Sequence, residues 1–205
     1  MTLTRRRFGA LAAGSMVLAS GCLSDDSPEL EEDELLEVPF VGDPDADVTV
    51  TVYEDFTCPG CRQYKTTTYP EIEDRYLDND AIRYEHRDFP VTTNSDWAYP
   101  VASAGRSVHE QGGNDAFFAF ASEIYDYQDQ YSLEVIEDVA EEVGVDGAQA
   151  AEAADEVTFE AGLDAEVAYA EEQGVEGTPW VVVDGEHVED ASPDGVITAI
   201  ENARS

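Results

Sequence analysis

Basic side chains are scarce in this 205-residue chain. Ten Lys and Arg stand against 47 Asp and Glu, a formal charge of −37, and Lys65 is the only lysine. A surface this acidic repels phosphate backbones, which excludes nucleic-acid binding. Metal ligands are also few: three histidines (His86, His109, His187) and three cysteines (Cys22, Cys58, Cys61), too scattered for a four-ligand zinc site. Methionine occurs only as Met1 and Met16. The apolar stretch from Gly9 to Ser20 is too short to cross a bilayer. Disorder of the whole chain is excluded as well, because 42% of residues are hydrophobic and both strand and helix periods are present.

What the N-terminus does contain is an address. Thr4-Arg5-Arg6-Arg7-Phe8 is a twin-arginine pattern, the weakly apolar Gly9–Ser20 suits a signal-peptide core, and Leu18-Ala-Ser-Gly-Cys22 resembles a lipobox whose cysteine is acylated. We therefore expect a signal at residues 1–21, lipidation at Cys22 and an extracytoplasmic protein anchored to the outer face of the membrane. Removing Arg5 to Arg7 with the signal takes the charge from −37 to −40. Residues 22–43 follow as an acidic linker, densest between Ser24 and Val38, whose self-repelling charges keep it extended and solvated as a tether. In dilute buffer such a charge works against compaction, whereas at molar salt the Debye length falls to about 3 Å and the acids serve to hold water. The composition resembles that of proteins from extreme halophiles.

Cys58-Pro59-Gly60-Cys61 carries the chemistry. It follows Val48-Thr-Val-Thr-Val-Tyr53, a β-branched run ending in an aromatic, which predicts a strand over 48–54. Proline is favoured at the first helical position, so a helix is expected from 59 to about 77 with Cys58 at its N-terminal end. There the helix dipole favours a thiolate and makes Cys58 the attacking sulfur. Cys61, one turn on, is within disulfide reach and can resolve a mixed disulfide.

About 160 residues remain after the linker, enough for one domain over 44–205. A strand at 82–89 completes a β-α-β unit, which should be parallel. A long helical stretch over about 96–173 follows, with Gly112-Gly113, Gly144 and Gly174 as stops. Within it Phe117, Phe118, Phe120, Ile124 and Tyr125 read as a core face, with a partner groove as the other possibility. Strands at 180–184 and 186–190 meet across Asp184-Gly185, a hairpin signal, before a helix at about 194–203. Thr178-Pro179 opens the first of these strands, a place where proline is tolerated and a cis bond can turn the backbone.

Taken in order, the strand, the C-P-x-C helix, Arg87-Asp-Phe-Pro90, the helical insertion, Gly174-Val-x-Gly-Thr-Pro179 and the hairpin resemble the DsbA family of thioredoxin-fold oxidoreductases. The resemblance covers Val48 to Ala203 and rests on two motifs about 120 residues apart. It implies an α/β thioredoxin fold with an inserted helical subdomain, a cis Thr178–Pro179 bond beside Cys58 and Cys61, and a Thr178 backbone able to pair with a substrate strand. It also implies a redox-active disulfide with no cofactor and no metal, exported client proteins as partners, and a membrane partner that resets the pair. One departure concerns the buried acid that thioredoxins keep six residues before the first cysteine, where this chain has Val52. Glu54 and Asp55 are expected to be exposed, although a buried Asp55 would be able to take protons from Cys61 through water. Arg62 and Lys65 are expected to be solvated. The expected activity is to form or exchange disulfides in exported proteins; a membrane-fed thiol reductase and a Cu(I) carrier are the alternatives.

Overall fold

The computed structural model describes residues 35–91 and 95–205. The signal at 1–21, the lipidation site Cys22 and the linker as far as residue 34 lie outside the described residues. Five strands form one mixed sheet in the order β1-β3-β2-β4-β5: β1 Phe40–Gly42, β2 Thr49–Glu54, β3 Arg83–Asp88, β4 Trp180–Val183 and β5 Glu186–Val188. β2 and β3 run parallel, with Val50 opposite Tyr84, Val52 opposite His86 and Glu54 opposite Asp88. β4 lies antiparallel on the other side of β2, and β5 returns antiparallel to β4. At that hairpin Asp184 and Gly185 both take positive φ, 48° and 83°, as a tight turn of this twist requires.

Alternation along β2 and β3 sends Val50, Val52, Tyr84 and His86 inward, where they meet Phe117 and Phe120. The aromatic run of the insertion is therefore core: Phe117, Phe120, Ile124 and Tyr125 are completely buried. Val181, Val183, Val196 and Ile200 extend the same core below β4.

Several boundaries differ from the sequence expectation. The stretch assigned to the linker contains β1, antiparallel to β3, and Leu36 packs against the core. The helix expected to run to residue 77 is broken into α1 (Pro59–Thr67), α2 (Tyr69–Ile72) and a π-helical turn at Glu73–Leu77. Pro70 has no N–H to continue the ladder, which accounts for the first break. Gly112-Gly113 does interrupt the helix as expected: α3 (Ala98–Glu123) is two helical segments that meet at Gly113, whose φ of 70° and ψ of −162° are not helical, and the second segment runs into a 3-10 turn at Ile124–Tyr127. Beyond it lie α4 (Leu133–Glu142), α5 (Gly147–Glu156), α6 (Glu160–Glu172) and α7 (Pro193–Ala203). α5 lies within the helical stretch expected over about 96–173 and begins after the Gly144 stop. Its buried face is alanine, and its start is fixed by Asp146, whose carboxylate accepts from the Gln149 N–H.

Candidate active site

Cys58 is the N-cap of α1, in extended conformation with Pro59 at the first helical position, so its sulfur sits at the helix start. Cys61, one turn inward, is fully buried, and both cysteines are free thiols in this structure. The Thr178–Pro179 bond is cis. The Thr178 carbonyl oxygen lies 3.3 Å from Cys58 Sγ, within reach of its S–H. Gly60 fits under this corner: a Cβ there would lie 3.1 Å from Pro179 Cδ and 3.5 Å from Cys58 Sγ. The structure thus brings all four candidate residues, Cys58, Cys61, Thr178 and Pro179, to one place.

The two sulfurs have opposite acid strengths. A hydrogen bond from the Cys61 thiol is the largest influence lowering the Cys58 pKa to about 5; burial opposes it, and Thr178 and the amides at the helix start add to it. Burial pushes Cys61 well above the ordinary thiol value, helped by its bond to Cys58 and by the charge of Glu54. At neutral pH one sulfur is a thiolate and the other a proton donor to it. That is the division of labour a dithiol exchange needs.

The family assignment can be drawn from the chain as a whole. A family model described as Thioredoxin matches residues 36–202. The chain belongs to this thioredoxin family. Over 89 residues it is 34% identical to the "Probable disulfide bond formation protein D" of Bacillus cereus, covering 43% of this chain and 39% of that protein. Over 169 residues it is 26% identical to a "Putative protein-disulfide oxidoreductase" of Rickettsia prowazekii, covering 80% and 60%. The chain thus spans about 40 to 60% of the length of these curated relatives. Its fold is similar to that of oxidised BdbD from Bacillus subtilis (TM-score 0.74, 20% identity, 81% of this chain and 92% of that one). It is equally similar to that of DsbA from Chlamydia trachomatis (TM-score 0.74, 20% identity, 83% and 94%). The fold is accordingly DsbA-like: a thioredoxin sheet with a helical insertion.

In this thioredoxin-family chain the insertion also holds the active-site loop. Gln128 Nε2 donates to the carbonyls of Phe56 (2.9 Å) and Cys58 (2.8 Å), and Tyr131 OH donates to Phe56 O (2.8 Å). Neither residue was singled out from sequence, since nothing marks a glutamine 70 residues away as a partner of the cysteine loop.

Three sequence expectations are corrected here. Glu54 and Asp55 are buried, each 1% exposed. Asp55 Oδ1 accepts from the Thr57 N–H and hydroxyl, both at 2.8 Å, and Oδ2 from the Val91 N–H at 3.2 Å, so this carboxylate shapes the turn into Cys58. Lys65 is buried too, with Nζ 3.6 Å above the Tyr69 ring and 5.3 Å from the Phe118 centroid; burial lowers its pKa to about 8. Arg62 remains half-exposed and lies 3.7 Å from Asp129.

Sequence reasoning also missed a buried ionic chain behind the cysteines. Glu54 Oε2 bonds His86 Nδ1 at 3.0 Å, His86 Nε2 bonds Asp88 Oδ1 at 3.1 Å, Arg106 Nε donates to Asp88 Oδ2, and Arg106 Nη1 donates to the Glu37 carbonyl. Burial disfavours charge on His86, yet its two carboxylate partners outweigh that and raise its pKa. As for metals, among the described residues no group of three or more His, Cys, Asp or Glu side chains is arranged to hold a metal ion.

Proposed function

We propose that this chain is an extracytoplasmic protein thiol–disulfide oxidoreductase that forms or exchanges disulfides in exported proteins through Cys58 and Cys61, and that it is tethered by a lipid on Cys22. The observation that carries this reading is Cys58 itself: a thiol at the start of α1 whose pKa is lowered to about 5, chiefly by the hydrogen bond from a protonated Cys61.

In the oxidising direction a client thiolate attacks Cys58 Sγ of the Cys58–Cys61 disulfide. The S–S bond breaks, Cys61 leaves with its electron pair and takes a proton, and a client–Cys58 mixed disulfide remains. A second client thiolate then attacks the client sulfur, and Cys58 departs as a thiolate. The client loses two electrons, which the enzyme dithiol holds until a membrane redox partner removes them. Thr178 offers a backbone edge on which an extended client segment can pair during the exchange. The printed names of the bacterial relatives support disulfide chemistry. A stabilised Cys58 thiolate favours the dithiol over the disulfide, which supports the oxidase over the reductase reading. The Cu(I) alternative has no methionine to draw on after the signal, since Met1 and Met16 both precede Cys22.

The test is trapping. Cys61→Ser, in the full chain, should accumulate mixed disulfides between Cys58 and client proteins that a reductant dissolves. A folded variant that traps nothing would rule the reading out.

A further inference from the structure

Thr57 and Pro59, the chain neighbours of Cys58, line a cleft of about 530 Å³ together with Trp97, Gln128, Asp129 and Tyr131 from the insertion. Neither Thr178 nor Pro179 lines it, so it opens beside the reactive sulfur without using the backbone edge that faces the client strand. Its walls are of two kinds. Trp97 and Tyr131 make an aromatic side, their ring centroids 6.4 Å apart and their planes tilted by 56°. Tyr131 is fixed by its bond to the Phe56 carbonyl and Gln128 by its two bonds into the cysteine loop, so both are committed to the protein. Asp129 is not. Its side chain is 89% exposed, and the one contact it makes among the described residues is with Arg62 Nη1 at 3.7 Å, longer than a charge-assisted hydrogen bond. A solvated pair of this kind holds the carboxylate weakly and leaves it open to another cation.

We propose that this cleft is a client subsite, in which an arginine next to the client's reacting cysteine stacks on Trp97 and pairs with Asp129. The inference rests on the thiol–disulfide reading above and gives it a preference for basic client segments. Reach is not an obstacle. A client sulfur joined to Cys58 Sγ holds its flanking residues one residue length away, about 3.3–3.6 Å along the chain. Thr57 and Pro59 are likewise adjacent to Cys58, so a flanking side chain as long as arginine enters the cleft they line.

The two walls select the occupant. A client carboxylate is repelled by Asp129, and Asp96, the residue before Trp97, is an exposed acid as well. An apolar side chain covers the rings but takes water from Asp129 without replacing it. A lysine ammonium meets the charge and lacks the flat face. A guanidinium meets both at once, laying its plane on the indole and turning its N–H edge to the carboxylate. Arg62 is the cation that the client arginine displaces; its side chain is 41% exposed and turns to water without leaving a buried partner behind.

The experiment uses the full-length Cys61→Ser protein with Cys58 capped as a mixed disulfide with thionitrobenzoate. Blocked peptides carrying one cysteine flanked by arginines, glutamates or leucines are added in molar KCl, and the peptide–Cys58 adduct is followed by mass. The peptide thiolate attacks Cys58 Sγ, the new S–S bond forms, and thionitrobenzoate leaves with the electron pair. Each rate is divided by that of the same peptide with hydroxyethyl disulfide, a neutral reagent, which removes the effect of the flanking charge on the peptide thiol itself. At molar salt long-range attraction to the acidic surface is screened, so a surviving preference reports contact in the cleft. The arginine peptide should react about fivefold faster than the glutamate peptide, the size expected of one exposed ion pair with a stacked ring. Asp129→Asn should bring the ratio to within about twofold, and Asp129→Lys should invert it. Trp97→Leu should lower the arginine rate relative to leucine, whereas Asp155→Asn on the exposed face of α5 should leave the ratios as they are. Equal normalised rates for the three peptides would overturn the proposal, as would a ratio that neither Asp129 variant moves. If Trp97→Leu does not fold, the inversion by Asp129→Lys decides alone, since that side chain lies in water. Peptides that all react without preference sink the subsite and leave the disulfide reading standing; a capped Cys58 that no peptide attacks defeats both.

Discussion

Cys58 Sγ lies 3.3 Å from the backbone oxygen of Thr178, a residue 120 positions away in sequence. The contact joins the start of α1 to the entry of β4, and β2, hydrogen-bonded to β4, leads directly into Cys58. Sheet order thus decides the geometry of the redox pair.

The acid strength of Cys58 is open to direct titration. Thiolate absorbance of the reduced protein should appear with a midpoint near pH 5. Cys61→Ala removes the largest cause of that shift, and the midpoint should rise by one unit or more toward the free-thiol value of about 8.5. The folded pKa is depressed, so the stability this group gives the reduced protein is present above the unfolded pKa and lost as pH falls through about 5. Unfolding of reduced and oxidised protein compared between pH 4 and 9 should show the reduced form gaining with rising pH.

Lys65 has the opposite sign. Its folded pKa, about 8, lies below the ordinary 10.5, so the buried ammonium destabilises the fold below pH 8, and this penalty fades as pH rises toward 10.5. Lys65→Met should raise stability at pH 7 by about 1–3 kcal/mol, and the gain should shrink at pH 10. Denaturant melts of both proteins at the two pH values check it.

Gln128 makes two hydrogen bonds into the cysteine loop. Gln128→Ala should cost about 1–3 kcal/mol by removing two hydrogen bonds, after which the Phe56 carbonyl keeps Tyr131 and the Cys58 carbonyl keeps the Arg62 N–H. It should also raise hydrogen exchange at the 56–61 loop while α4 and α5 stay protected.

Much of this architecture was legible in the chain. The Val48–Tyr53 run, the proline after Cys58 and Asp184-Gly185 each have a local physical meaning, and each appears where expected. Burial of charge was not legible. Arg83 to Asp88 carries polar residues on both faces, so alternation shows two faces without showing that Tyr84, His86 and Asp88 point inward. The partners that make burial tolerable come from α3 and β2, 18 and 32 residues away, and no spacing rule connects them. β1 was lost for another reason: three residues behind an acidic run give too short a pattern to read.

The formal charge of −37 predicts a salt requirement. Screening at molar KCl should raise the melting temperature well above its value at 0.1 M, since the Debye length falls from about 10 to about 3 Å. A melting temperature indifferent to salt between these limits would remove the halophilic reading of the composition.

The central claim is that a stabilised Cys58 thiolate makes the Cys58–Cys61 disulfide an oxidant. Equilibration of the pair against a glutathione buffer in molar KCl measures it directly. The account predicts a reduction potential nearer the DsbA value of about −120 mV, whereas a value near the thioredoxin level of about −270 mV would contradict it.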